Sequence, residues 1–182
     1  MGPMYAGKTS KMIQMYESNR CTQKIAIDYE MNTRKSNVTF SSIQNHNSHE
    51  LMDCYKTKFL AHLKDESYYD EQFKYYQSFL HAQYIYINEC QFFPDLKEMV
   101  ISWLKQGKHI YLYGLDGDFK MDLFGQTSML IPYCSYIEKL KGICKLCSNP
   151  SVVSHRTSTD MQVFLPNADN YIPLCLKCKS ET

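Results

Sequence analysis

The feature that most constrains this chain is its opening octapeptide, Gly2-Pro3-Met4-Tyr5-Ala6-Gly7-Lys8-Thr9, which fits the pattern G-x-x-x-x-G-K-[ST]. This spacing lets consecutive backbone N–H groups turn inward around a phosphate chain, while the two glycines adopt angles that side chains resist. Lys8 is then placed to meet terminal phosphates, Thr9 offers a hydroxyl to Mg²⁺, and the next helix points its positive N-terminus at the same anion. Apolar Met12, Ile13, Met15 and Tyr16 give Ser10–Arg20 the helical period this requires. A loop of this type joins a strand to a helix, yet only Met1 stands ahead of Gly2. The first strand is missing from the given chain, and the expectation is that the reading frame continues upstream with roughly five to ten apolar, β-branched residues.

The rest of the chain alternates strand and helix patterns. Lys24–Tyr29, Gln83–Ile87 and His109–Tyr113 read as strands; Ser67–His81 and Pro94–Gln106 read as helices, the latter stopped by Gly107. Met31–Asn47 is polar and reads as a long loop, and Leu51–Leu63 fits either strand or helix. Together these predict an α/β fold: a P-loop parallel sheet flanked by helices. The 182 residues suit one main domain with a small appendage. A net charge of +1 excludes binding to nucleic acid or lipid through overall charge alone. With no bilayer-length apolar run and no signal-type segment, a soluble, cytoplasmic protein without membrane contact is expected.

Eight cysteines are present, four of them in two C-x-x-C pairs, Cys144/Cys147 and Cys175/Cys178, enclosing 27 residues. Paired knuckles without a secretory signal indicate a metal site rather than disulfides. Four thiolates leave no open coordination position, so a structural Zn²⁺ is expected. The pattern change near Ile143 divides the chain into 1–142, the P-loop α/β domain, and 143–182, a zinc-binding subdomain. The enclosed Ser148–Leu174 carries only His155 and Arg156 as basic or potentially basic groups, too few for a nucleic-acid face.

After strand Gln83–Ile87 comes Asn88-Glu89-Cys90-Gln91-Phe92-Phe93-Pro94-Asp95. A carboxylate at the C-terminal end of such a strand can meet Mg²⁺, a metal-bound water or a substrate hydroxyl. GPMYAGKT, INECQFFPD, GLDGDF and the late C-x-x-C pairs, in this order, resemble the type II thymidine kinases, whose usual forms are GPMFSGKS/T, IDEGQFF and LDGDF or LDGTF. QKIAIDY followed by Asn32-Thr33-Arg34 is similar to that family's K-D-T-R segment. The resemblance implies ATP-dependent phosphorylation of the 5′-hydroxyl of thymidine or deoxyuridine, with Mg²⁺ accompanying ATP. Lys8 and Thr9 match the phosphate-loop Lys and Mg²⁺-associated hydroxyl, Glu89 the catalytic glutamate, and Arg34 an arginine near the phosphates. Gln91, Phe92, Leu115, Phe119 and Tyr171 match nucleoside-binding positions. Residues 148–174 become a lasso over the nucleoside, and a homotetramer or dimer is implied.

The chain departs from that pattern where Asn88 and Asn32 replace aspartates and Pro166-Asn167 replaces a Gly-Gly. Loss of the carboxylate at Asn88, a position beside Mg²⁺, predicts weaker metal binding. Two functions therefore stay open: a working thymidine kinase, or a degenerate nucleotide-binding paralogue with little or no turnover.

Overall fold

The computed structural model describes residues 1–31, 38–44, 51–69, 73–158 and 170–182. Its centre is a five-stranded sheet built from β1 (Lys24–Tyr29), β2 (Thr39–Gln44), β3 (Leu51–Thr57), β4 (Tyr84–Ile87) and β5 (His109–Leu112), in the order β2-β3-β1-β4-β5. β3, β1, β4 and β5 run parallel, and β2 is antiparallel on the outside of β3. Three longer helices flank the sheet: α1 (Lys8–Ser18), α2 (Phe73–His81) and α3 (Leu96–Lys105). The fold is thus the parallel α/β arrangement expected from the strand-helix alternation.

Side-chain alternation divides the core into two layers. Ile25 and Ile27 of β1 and Ile85 and Ile87 of β4 pack with Leu96, Met99, Val100 and Trp103 of α3 and with Phe79. Ala26 and Tyr86, one step out of phase, face the opposite side with Met12 and Ile13 of α1. Strand period two therefore sends odd positions of β1 and β4 toward α3 and even positions toward α1. Each fully buried isoleucine contributes about 1.5–3 kcal/mol, so the register of these two strands is strongly specified.

Three local expectations are corrected. The polar stretch assigned to a loop contains β2, because Thr39, Phe40 and Ile43 suit a pleated edge and pair along β3 from Thr39↔Lys56 to Gln44↔Leu51. The ambiguous Leu51–Leu63 divides into β3 and a 3-10 turn, Leu60–Lys64. The expected Ser67–His81 helix begins only at Phe73; Glu66–Tyr68 is a 3-10 turn capped by the Asp65 side chain, which accepts from the Ser67 N–H. Near α3, the Asp95 carboxylate accepts from the Leu60 and Ala61 N–H groups at 3.1 and 2.8 Å, fastening that turn to the helix start.

The outer edge of β5 carries no partner strand among the described residues. Beside it runs a cleft of about 560 Å³ lined by Ile110 and Leu112 on one side and Tyr133, Ile137 and Leu140 on the other, with Met1 also in its wall. The Gly2 N–H donates to the Gly114 carbonyl, and the Leu140 N–H donates to the Met1 carbonyl. The first two residues thus bridge the end of β5 and the 138–140 segment. A Cβ on Gly2 would lie 2.5 Å from the Leu140 carbonyl oxygen, so only glycine fits this approach.

The C-terminal portion forms two small sheets, β6 (Gly142–Ile143) with β7 (Pro150–Ser151), and β8 (Val153–Arg156) with β9 (Tyr171–Leu174), followed by the short α4 (Leu176–Ser180). Among the described residues no helix is long and apolar enough to cross a membrane.

Candidate active site

The phosphate loop enters α1 through Gly7, whose left-handed backbone (φ 76°, ψ 21°) starts the helix while its carbonyl accepts from the Lys11 N–H at 2.9 Å. Lys8 is buried and its ammonium donates to the Pro3 carbonyl at 2.7 Å, folding the side chain back over the loop. Burial pulls the Lys8 pKa down, against the opposing charges of Glu89 and Asp116. The Met4 N–H donates to the Ser154 hydroxyl at 2.9 Å, so β8 braces the loop from the side.

Glu89 is the second residue beyond β4, and its backbone is left-handed (φ 47°, ψ 39°), an unusual state for a residue with a Cβ. That geometry costs roughly 1–2 kcal/mol. It is held because the Cys90 N–H donates to the Tyr113 carbonyl and the Phe92 N–H to the Glu89 carbonyl, both at 3.1 Å. The Glu89 carboxylate accepts from the Gln91 amide at 2.7 Å, and the other end of that amide accepts from the Leu115 N–H at 2.9 Å. Gln91, expected beside the nucleoside, is buried with both ends of its amide engaged. Gly114 makes room for it: a Cβ there would stand 2.5 Å from both the Gln91 Oε1 and the Cys90 Sγ.

Asn88 is buried, and its side-chain amide donates to the Asp28 carboxylate at 2.9 Å. Asp28, at the corresponding end of β1, also lies 3.7 Å from the Lys56 ammonium. Thr9, Asn88, Glu89 and Asp28 are all oxygen donors, the chemistry that Mg²⁺ accepts.

The aromatic positions fall into two groups. Phe92 packs against Tyr29 at 5.3 Å and edge-on against Phe124 at 5.4 Å. Phe119 lies under the Arg156 guanidinium, 3.7 Å from its ring centroid, and Arg156 also donates to the Tyr171 hydroxyl at 2.5 Å. Arg156 therefore ties Phe119 to Tyr171, while Leu115 lies buried beside Gln91. Asp28, Phe124, Ser154 and Arg156, which sequence reasoning did not single out as site candidates, contact the candidate residues because the fold brings distant segments together. Arg34, Asn32 and Pro166-Asn167 lie outside the described residues.

Cys144, Cys147, Cys175 and Cys178 converge, their sulfur atoms all within 4.8 Å of one another. The Cys147 and Cys175 sulfurs are 3.6 Å apart, far beyond a disulfide bond and near the ~3.8 Å edge of a tetrahedron with Zn–S bonds of ~2.3 Å. No cysteine in the chain is disulfide-bonded. The cluster is compatible with a zinc site.

A phosphate loop opening a helix on a mainly parallel sheet, with an acidic residue at the end of a nearby strand, defines a phosphate-loop α/β protein. A family model described as thymidine kinase matches residues 1–179, and the chain belongs to that family. It is 28% identical to the thymidine kinase of Choristoneura fumiferana entomopoxvirus over 99% of this chain and 94% of the relative. Thymidine kinase 1 of Dictyostelium discoideum is also 28% identical, across 97% of this chain and 74% of the relative. The cytosolic thymidine kinase of Cricetulus griseus matches at 28% over 98% and 70%.

Proposed function

We propose that this chain transfers the terminal phosphoryl group of ATP to the 5′-hydroxyl of thymidine or deoxyuridine. The observation that carries the reading is that the phosphate loop and the Glu89 turn are fastened to the same segment beyond β5, the Gly2 N–H donating to the Gly114 carbonyl and the Cys90 N–H to the Tyr113 carbonyl. Lys8 and the N–H groups of Ala6–Thr9 hold the phosphates, while the Gly2 and Met4 N–H groups fasten the loop to Gly114 and Ser154. Glu89 accepts the proton of the 5′-hydroxyl, and the Gln91 amide fixes the carboxylate's orientation. Mg²⁺ bound with ATP supplies charge neutralisation at the phosphate oxygens; Thr9 and Asn88 are the residues assigned to its neighbourhood, and Arg34 is assigned to the phosphates. Phe92, Leu115, Phe119 and Tyr171 form the walls for the base, where aromatic area favours a pyrimidine. Phosphoryl transfer needs positioning and charge stabilisation more than covalent chemistry, and this set of residues supplies both.

In this reading residues 1–142 are the transfer unit, and 143–182, held by zinc on the four cysteines, cover the nucleoside. The protein works in the cytoplasm, and exposed Ile131, Tyr133, Tyr136 and Ile137 offer a surface for dimer or tetramer assembly. Thymidine phosphorylation by the purified protein tests it, with Glu89→Gln expected to lower kcat by about 10²–10⁴-fold. Equal turnover in the two proteins removes Glu89 as the base. One observation favours the second reading, a nucleotide-binding paralogue without turnover: an amide, Asn88, stands next to Glu89 where the related motif carries a carboxylate. Nucleotide binding without thymidine phosphorylation decides for it.

A further inference from the structure

The carboxylate missing at Asn88 has a counterpart one strand away. β1 and β4 pair in parallel register up to Ile27↔Ile87, so Asp28 and Asn88 are the next pair along. Even positions of these strands face α1, the helix that opens at the phosphate loop, as Ala26 and Tyr86 show by packing with Met12 and Ile13. Asp28 and Asn88 continue that face, and their side chains meet at 2.9 Å. On the far side Lys56 sits opposite Asp28 in register and 3.7 Å away in space. The carboxylate is therefore held from both flanks. Because the Asn88 N–H₂ end is committed to Asp28, its carbonyl oxygen is turned away from Asp28 and left as the amide's acceptor. One carboxylate and one amide remain in the pair, as they would if the residues were exchanged.

We propose that Asp28 is a positioning residue for the Mg²⁺-dependent binding of ATP: it restores the negative charge that Asn88 lacks and orients the Asn88 amide oxygen toward the metal's neighbourhood. The inference rests on the kinase reading for its setting, but its test does not require turnover. Outer-shell partners of metal-site groups typically contribute 10–100-fold to metal affinity. A purely structural role for the pair predicts instead that only stability changes when it is disturbed.

The deciding experiment is calorimetric binding of ATP, with and without Mg²⁺, to the full chain and to Asp28→Asn, Asn88→Asp and the exchanged double variant. Asp28→Asn is expected to lose about tenfold in affinity for Mg·ATP while metal-free ATP binds as before. The double variant, which keeps one carboxylate and one amide with their order reversed, is expected to recover Mg·ATP affinity to within about threefold of the unaltered chain. Asn88→Asp alone sets two carboxylates in contact and is expected to melt below the double variant. If Asp28→Asn fails to fold, the double variant carries the test: folded with normal Mg·ATP affinity it supports the proposal. Unchanged Mg·ATP affinity in Asp28→Asn overturns it, as does a folded double variant with no recovery, or an unaltered chain whose ATP binding ignores Mg²⁺. Absence of thymidine phosphorylation alongside intact Mg²⁺-dependent binding would sink the kinase reading and leave this inference standing.

Discussion

Replacing Gly114 with alanine attacks the arrangement that aims Glu89 without touching Glu89 itself. The added Cβ would stand 2.5 Å from the Gln91 Oε1 and 2.5 Å from the Cys90 Sγ, well inside the ~3.5–4.0 Å of favourable contact. Cys90 is fully buried and cannot swing aside, so the Gln91 amide is the group that must move. Moving it breaks the bond from the Leu115 N–H and the bond to the Glu89 carboxylate. A neutral hydrogen bond is worth about 0.5–1.5 kcal/mol and one to a charged group about 1.5–3, so the loss is about 2–4.5 kcal/mol. At roughly 2–4 °C per kcal/mol for a chain of this size, Tm falls by roughly 4–18 °C. Misplacement of the base by about 1 Å is expected to reduce kcat about 100-fold. Differential scanning calorimetry and steady-state thymidine kinetics read the two effects separately. Unchanged Tm refutes the steric argument; a lowered Tm with unchanged kcat refutes the idea that Gln91 aims Glu89.

The zinc reading predicts one tightly held zinc per chain by elemental analysis and a lowered Tm on chelation; clearly less metal, with no structural change on chelation, contradicts it. Ser154→Ala removes the acceptor of the Met4 N–H and should cost about 0.5–1.5 kcal/mol, seen as a lower Tm and a raised KM for ATP at constant KM for thymidine. Arg156→Lys keeps the charge but not the planar guanidinium that covers Phe119 and reaches Tyr171, so KM for thymidine should rise about tenfold with kcat less affected. A short apolar extension joined ahead of Met1 is expected to fill the cleft along β5 and raise Tm; an unchanged Tm shows that β5 needs no further partner.

Much of this arrangement was legible in the residues because local rules and tertiary demands agreed. β1 matched its sequence bounds, Lys24–Tyr29, since β-branched alternation and burial on both faces ask for the same residues. The four cysteines announced their meeting by spacing alone. β2 was missed because its Ser41 and Ser42 read as loop, while pairing along β3 decides the outcome. α2 is shorter than its pattern suggests for the opposite reason: apolar Tyr68 and Tyr69 suit a helix, but Asp65 caps a separate turn first. Asp28 was illegible as a site residue because its importance comes from Asn88, 60 positions away in the chain, and no local pattern carries that pairing. Arg156 was hidden likewise, its partners Phe119 and Tyr171 being set by chain crossings.

The bond between the Met4 N–H and Ser154 has a consequence for timing. It spans 150 residues, and the Met1 ammonium reaches the Glu138 carbonyl across 137. During synthesis the side chain that braces the phosphate loop is made 150 residues after the N–H group it accepts from. Local helix α1 can form within microseconds, whereas closing such long loops waits on the remaining translation, at about 5–20 residues per second. For roughly 8–30 s the nascent chain therefore carries the loop's sequence without its lateral support. ATP can help to order the site only after the segment bearing Ser154 has cleared the exit tunnel.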